Sequence, residues 1–321
     1  MLRNAGYSVL TVSHSRNRYV RLADVVYTLV GNLRHIDLLV LSTYGGRSFI
    51  IEDTASLLAK RFGVPIVMTL HGGAMPEFMS RFPNWTKRVL SRASLLVVQS
   101  DYLANAVGRH GFAAHVIPNI LDLSAYPYRW RSAVSPRLLW MRAFHSIYHP
   151  EMALRVLAVV KRTLGDARLV MAGQDKGLEK KVRRLATELG LADAVRFPGF
   201  LDMAGKVREG QAADIFINTP RVDNRPVAVE EAGSMGLAVV STSVGGIPHF
   251  LKHEETGLLV ADGDVQAMAD AIVRLVEDKS LAGRLSRNGR ALAAASAVEN
   301  VLPQWTEVID EVALGNGRVS A

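Results

Sequence analysis

One stretch constrains the fold more than any other: residues 218–251, NTPRVDNRPVAVEEAGSMGLAVVSTSVGGIPHFL. It predicts a loop, a helix, a strand and a glycine turn leading into a second helix. Pro226 suits the first turn of a helix, where its missing N–H costs nothing. Residues 227–234 continue that helix and Gly236 ends it. Residues 238–241 form a short apolar run of the kind buried in a parallel sheet. Gly245 and Gly246 then let the backbone come close to another group. The unpaired N–H groups and positive dipole end of the helix start make a natural phosphate site. Asp223 stands just before that start, and Glu231 lies one to two turns inside the helix. A second anion would repel a phosphate, so a carboxylate beside such a site is better suited to hydrogen bonds from sugar hydroxyls. From spacing alone the plainer readings, a helix-start acid and a surface acid, carry more weight.

The rest of the chain repeats the alternation. Residues 2–13 predict a helix end, a turn at Gly6 and a strand. Residues 36–42, 65–70 and 95–99 predict buried strands, with a helix over 48–62 and Ser100 as a helix cap. Strands are predicted again at 137–141, 167–173 and 214–218, with a charged amphipathic helix over 176–189 and a turn at Gly199 within 195–200. This is an α/β chain of two Rossmann-like parallel-sheet domains facing a cleft, residues 1–123 and 124–297. The boundary is expected in the Ser-, Pro-, Tyr- and Arg-rich stretch 124–136, and 321 residues suffice for two ordinary cores.

With no cysteine, disulfides and thiolate chemistry are excluded. No apolar run reaches membrane-spanning length, and residues 1–10 are too short and mixed for a signal peptide. Residues 1–122 carry 2 Lys and 11 Arg against 5 Asp and 2 Glu, or +6 of the chain's +8. Such a half could meet an anionic lipid or an anionic acceptor. No nucleic-acid motif accompanies it, so nucleic acid is not expected. Residues 81–92 (RFPNWTKRVLSR) mix bases with Phe82 and Trp85, which fits either a peripheral membrane contact or a solvated helix face. His71, at the end of a predicted strand and before Gly72-Gly73, stands where parallel sheets take ligands, although a lone histidine is more often structural. Asp262-Gly263-Asp264 reads as a turn and helix cap. His145 and His149 have the spacing of a helical metal pair, but Pro150 interrupts the helix, so no metal is expected.

The central stretch resembles the signature of the family 4 glycosyltransferases, retaining enzymes of the GT-B fold. Their pattern is an acid, seven residues, Glu-Ala, a helix-ending Gly, an apolar triplet and VGGIP. Here it stands as Asp223, Glu231-Ala232, Gly236, Ala238-Val239-Val240 and Val244 to Pro248. Asp223 replaces the usual Glu, and the D-N-x-P-V form resembles a bacterial branch of the family. Further matches are the HG motif at His71, Val116-Ile117-Pro118-Asn119 with Asp122, and residues 256–264 (TGLLVADGD). The match is stronger in the second domain than in the first. It implies that the usual first strand and glycine loop are missing before residue 1, a misplaced start or truncated gene being the favoured explanation. It also implies that the last part of the chain, residues 298–321, crosses back to the first domain, with Trp305 as its anchor.

The resemblance implies transfer of a sugar from a nucleotide-sugar, UDP- or GDP-linked, to a glycan, lipid-linked or small-molecule acceptor, with configuration retained and no cofactor or metal. It assigns Arg142 and the helix start at Arg225, Pro226 and Val227 to the departing diphosphate. Tyr148 takes the place of the family's second cation. Glu231 binds the ribose, Asp223 the transferred sugar and His71 the same sugar from the opposite domain. Gly173, Gly199, Phe200 and Asn224 complete the donor contacts. Were Glu230 the ribose ligand, the assignment would be off by one residue. No double-displacement nucleophile is evident, so attack from the donor's own face is the default. A cytoplasmic location is implied, at the inner membrane face for a lipid-linked acceptor. A non-catalytic sugar- or nucleotide-binding subunit and a nucleotide-sugar epimerase are the alternatives.

Overall fold

A computed structural model of the chain describes residues 2–13, 15 and 17–314. It divides into two compact units, residues 1–118 with 299–321, and residues 119–298. Each is built on an all-parallel sheet whose strands are joined by helices.

The first unit has the strand order β1 (Leu39–Tyr44), β2 (Ile66–His71), β3 (Leu95–Val98), β4 (His115–Val116). Internal β2 is buried over its first five residues, which is why it reads as an unbroken apolar run. At the sheet edge, β1 alternates instead, with Val40 42% and Tyr44 51% exposed. Residues 7–13, predicted as a strand, join no sheet. The reason lies in their neighbours: Arg3 donates to the Val9 carbonyl (2.8 Å), and the Tyr7 hydroxyl donates to Asp310 (2.7 Å) on the final helix, Val298–Leu314. That helix buries Val301, Val308, Ile309 and Val312, whereas Trp305, the expected anchor, is only partly buried. The expected segment 298–321 extends beyond the described residues from 315 onward. Ser100 caps its helix by accepting from the Leu103 N–H (3.3 Å).

The basic stretch 81–92 is broken at Phe82 into the helices Met75–Arg81 and Pro83–Leu90. Trp85 turns inward: it meets the rings of Phe49, Phe78 and Phe82, and its indole N–H donates to Asp53 (2.7 Å). Arg88 and Arg92 pair with the same carboxylate. This is a solvated helix with an apolar underside, so Trp85 is not available as a membrane anchor. No helix among the described residues is long and apolar enough to cross a membrane.

The second unit orders six strands as β10-β9-β8-β5-β6-β7, where β5 is Arg137–Met141, β6 Arg168–Ala172, β7 Val195–Gly199, β8 Ile215–Asn218, β9 Ala238–Thr242 and β10 Leu258–Val260. The chain reverses its direction of growth between β5 and β8, the switch point of a doubly wound sheet. Alternate residues supply two cores. Leu138, Trp140, Ile215, Ile217, Ala238 and Val240 pack on one face, and Leu139, Met141, Phe216 and Val239 on the other.

The boundary falls after Pro118, five residues earlier than expected, and the expected linker is packed structure. Leu121 bridges to Ala297, and Tyr126 is buried. Arg131 is fully buried and donates to the carbonyls of Gly210, Ala213, Met235 and Arg129. Asp214, just before β8, pairs with Arg129, Arg131 and Arg137. Burial works against its ionisation, but the hydrogen bond from Arg137 and its companions hold the carboxyl below its ordinary value. A polar, proline-rich composition therefore reads as linker only until its charges find a buried partner.

Candidate functional site

The carboxyl ends of β5 and β6 and the loops after β7 and β8 enclose a cleft of about 440 Å³ in the second unit, at the switch point. The loop after β8 is shaped by the glycine pair foreseen in the sequence. A Cβ on Gly245 or Gly246 would overlap the carbonyl oxygens of Asp223 and Asn224, respectively, and the Gly246 N–H donates to the Asp223 carbonyl (2.9 Å). Gly245 also has φ +55, open to few other residues. The close approach predicted for these glycines is thus made to the chain's own loop, and it presents Asp223 to the cleft.

Arg142 follows β5 and pairs with Asp223 (2.5 Å) across the switch point. Its guanidinium lies 4.0 Å from the centre of the Tyr148 ring. Tyr148 is held in turn from β8's side, because Thr219 donates to the Tyr148 carbonyl (2.8 Å). The next residue, His149, sits in the left-handed region (φ 46), and Arg221 lies 3.2 Å from its Nε2. Burial, then the charge of Arg221, lowers the His149 pKa. Gly173, at the end of β6, leaves room for the Arg142 carbonyl, which a Cβ there would overlap.

The helix Val227–Ser234 starts at Pro226 with no side-chain cap, and Val227 and Ala228 line the cleft, so the first-turn N–H groups belong to the site. Pro226 is the cap residue itself, one position earlier than predicted. Glu231 and Glu230 point apart. Glu231 lines the cleft and accepts from the Tyr126 hydroxyl (2.8 Å) and Lys206 (2.6 Å). Glu230 is buried away from the cleft, with Oε1 accepting from Arg225 (2.8 Å) and Ser296 (2.5 Å). Its Oε2 is buried without a partner, and burial raises its pKa.

Among the expected donor contacts, Arg142, Tyr148, Gly173, Phe200, Asp223, Arg225, Pro226, Val227 and Glu231 all line this cleft. Arg225 does so with its guanidinium drawn off to Glu230, Ser296 and the Phe250 ring, 4.8 Å away. Two expected contacts, Asn224 and Gly199, stand apart from this lining. Asn224 is buried and lies outside the lining, since the glycine pair packs on its carbonyl. Gly199 also lies outside it and acts through its carbonyl, which accepts the Gly173 N–H (2.9 Å). His71 belongs to the first unit, at the end of β2.

Sequence reasoning missed Lys206 and Tyr126. Lys206 comes from the helix Met203–Ala212 after β7, and nothing in its sequence neighbourhood marks it. Tyr126 lay in the supposed linker. Burial, followed by the Glu231 carboxylate, pushes its phenol pKa up. No cluster of His, Cys, Asp and Glu suited to a metal ion occurs among the described residues.

Residues 3–125 match the family model described as Glycosyltransferase Family 4, and residues 135–292 the one described as Glycosyl transferases group 1. Phosphatidyl-myo-inositol mannosyltransferase of Mycobacterium leprae is 26% identical over 79% of this chain and 69% of its own length. D-inositol 3-phosphate glycosyltransferase of Saccharomonospora viridis is 30% identical over 73% and 62%. The chain spans between 45% and 69% of the length of the first curated relatives it matches. Among solved structures, Anabaena HepE with UDP and glucose aligns with a TM-score of 0.75 at 20% identity, over 90% of this chain and 82% of that one. Sucrose-phosphate synthase of Thermosynechococcus elongatus aligns at 0.79 and 19%, over 96% and 82%. At such identity the structural likeness is one of fold. That fold is GT-B, and with adjoining family matches across both parallel-sheet units the chain is similar to glycosyltransferases of the family 4 type.

Proposed function

We propose that the protein transfers a sugar from a nucleotide-sugar, UDP- or GDP-linked, to a glycan or lipid-linked acceptor, with the anomeric configuration retained and no metal ion. The observation that carries this reading is the Glu231 carboxylate, held at the cleft wall by Tyr126 and Lys206 one helical turn beyond a free helix start. A carboxylate so fixed suits the paired hydroxyls of a ribose, while the first-turn N–H groups suit the diphosphate attached to it. Arg142 retains donors beyond those spent on Asp223 and would stabilise charge on the leaving diphosphate. Asp223 would accept hydroxyls of the transferred sugar. With no enzyme nucleophile assigned, the acceptor oxygen attacks from the face the diphosphate leaves, and the leaving group takes the acceptor's proton. A cytoplasmic location, at the inner membrane face for a lipid-linked acceptor, goes with this reading.

Calorimetric titration with UDP and GDP tests it. The wild type should bind one of them, and Glu231→Ala should lose about tenfold or more in affinity, a lost charge-assisted hydrogen bond being worth roughly 1.5–3 kcal/mol. Equal affinity in the two chains would remove Glu231 from the site. The anomer of the product, read by NMR, tests retention.

One observation favours a non-catalytic binding subunit instead. All three cations lining the cleft are paired with carboxylates: Arg142 with Asp223, Lys206 with Glu231 and Arg225 with Glu230. Nucleotide binding without hydrolysis or transfer of any donor sugar would support that reading.

A further inference from the structure

The first unit carries a second ligand-shaped feature, at the carboxyl end of its own sheet. Tyr44 and His71 are the last residues of β1 and β2 and stand in register. Their rings stack with centroids 5.0 Å apart and planes 18° from parallel. His71 covers one face of the phenol ring, and Tyr44 is still 51% exposed. The ring thus offers an apolar face to solvent at the end of the sheet where parallel folds take ligands. Burial lowers the His71 pKa, which favours the neutral imidazole with one donor and one acceptor nitrogen.

The surroundings keep space open beside the pair. Gly45-Gly46 follows β1 and Gly72-Gly73 follows β2. Gly46 (φ +98) and Gly72 (φ +90) are left-handed, and a Cβ on either would meet nothing within 4 Å. The turns thus leave bare backbone and free space. Glu52, from the helix Phe49–Arg61, fixes the platform from below, accepting from the Tyr44 N–H (3.1 Å) through Oε1. Its Oε2 is buried without a hydrogen-bond partner.

We propose that Tyr44 is a binding residue whose open face receives a sugar ring of the acceptor, with the His71 imidazole and the two glycine turns supplying hydrogen bonds at the ring's edge. A pyranose has an apolar C–H face and a rim of hydroxyls that both donate and accept. An aromatic face bordered by a phenol, a neutral imidazole and bare peptide groups matches both. A bare lipid tail would leave those polar groups without partners. The choice of a sugar rests on the glycosyl-transfer reading above, whereas the platform rests on the geometry of the first unit alone.

Saturation-transfer NMR with methyl α-mannopyranoside and methyl β-glucopyranoside, on the wild type, Tyr44→Phe and Tyr44→Ala, tests the proposal. The same samples are titrated with UDP and GDP. At least one glycoside should bind the wild type, Tyr44→Phe should bind it within about twofold, and Tyr44→Ala about tenfold more weakly, the loss expected of an aromatic contact. Nucleotide affinity should be unchanged in both variants, and unchanged hydrogen-exchange protection of the β2 amides shows that the first unit is folded in each. Glycoside binding that survives Tyr44→Ala overturns the platform. A wild type that binds no glycoside, with or without nucleotide, overturns the sugar. Tyr44-dependent glycoside binding without nucleotide binding would leave the platform standing and refute the donor reading instead.

Discussion

Replacing Glu52 with glutamine should flatten the pH dependence of the first unit's stability. Glu52 is 4% exposed, accepts the Tyr44 N–H and leaves Oε2 buried and unpartnered. Burial pushes its pKa up to about 7, against the opposing pull of the Tyr44 N–H and of Arg21. A carboxyl raised from 4.5 to about 7 costs roughly 3 kcal/mol more to ionise in the folded chain than in the unfolded one. The folded chain therefore holds this proton longer. The stability so gained is complete below pH 4.5 and is lost as the pH rises to 7. Between about pH 5 and pH 8 the wild type should lose roughly 2.5 kcal/mol through this group. Glutamine keeps an acceptor for the Tyr44 N–H and cannot ionise, so the variant should not share the loss. Its unpaired amide N–H₂ lowers stability equally at every pH and leaves the slope untouched. Hydrogen exchange of β1 and β2 amides, corrected for the intrinsic pH dependence, reads this directly. The wild-type protection should fall roughly 50- to 100-fold relative to the variant across that range. Parallel loss in both chains would refute the argument, because it would mean that the buried carboxyl is not what titrates.

Three further outcomes follow from the second unit. Gly246→Ala should disturb the Asp223–Asn224 loop, since its Cβ meets the Asn224 carbonyl; we expect a loss of roughly 1–3 kcal/mol in urea unfolding and weaker nucleotide binding by calorimetry. Asp214→Asn should cost roughly 3–5 kcal/mol in the same unfolding assay, because it leaves fully buried Arg131 without its carboxylate. The stabilisation Asp214 supplies to the wild type is present above pH 3.8 and should be lost as the pH falls below it, since its folded pKa is depressed. Arg142→Lys keeps the charge but cannot both pair with Asp223 and lie flat on Tyr148; UDP or GDP affinity should fall about tenfold with the unfolding midpoint unchanged.

Much of the architecture was legible because parallel strands are buried on both faces and so appear as short apolar runs. Residues 137–141 coincide with β5, and the predictions for β2, β3, β6, β8 and β9 fall within two residues at either end. The same runs reveal where ligands go, because a parallel strand delivers its last residue to the binding end of the sheet. Arg142, Asp223 and the helix after Pro226 could be placed this way. Residues 7–13 have a strand's composition too, but composition does not say whether an edge is available to pair with, and here side chains take the place of a ladder.

Contacts between distant residues left no local trace. Lys206 and Tyr126 reach Glu231 from 25 and 105 positions away, and no spacing rule links them. Which of two adjacent glutamates faces the cleft was likewise open in the sequence. It follows from Arg225 and Ser296, which draw Glu230 into the interior and leave Glu231 to face the cleft. The stretch 124–136 looked like a linker because it is polar and rich in proline, and became part of the core because Asp214 gathers its arginines. Local order follows from backbone sterics and the period of burial, which neighbouring residues encode. Charges and hydroxyls at a buried site must instead find partners wherever the folded chain brings them, and only the fold brings those partners together.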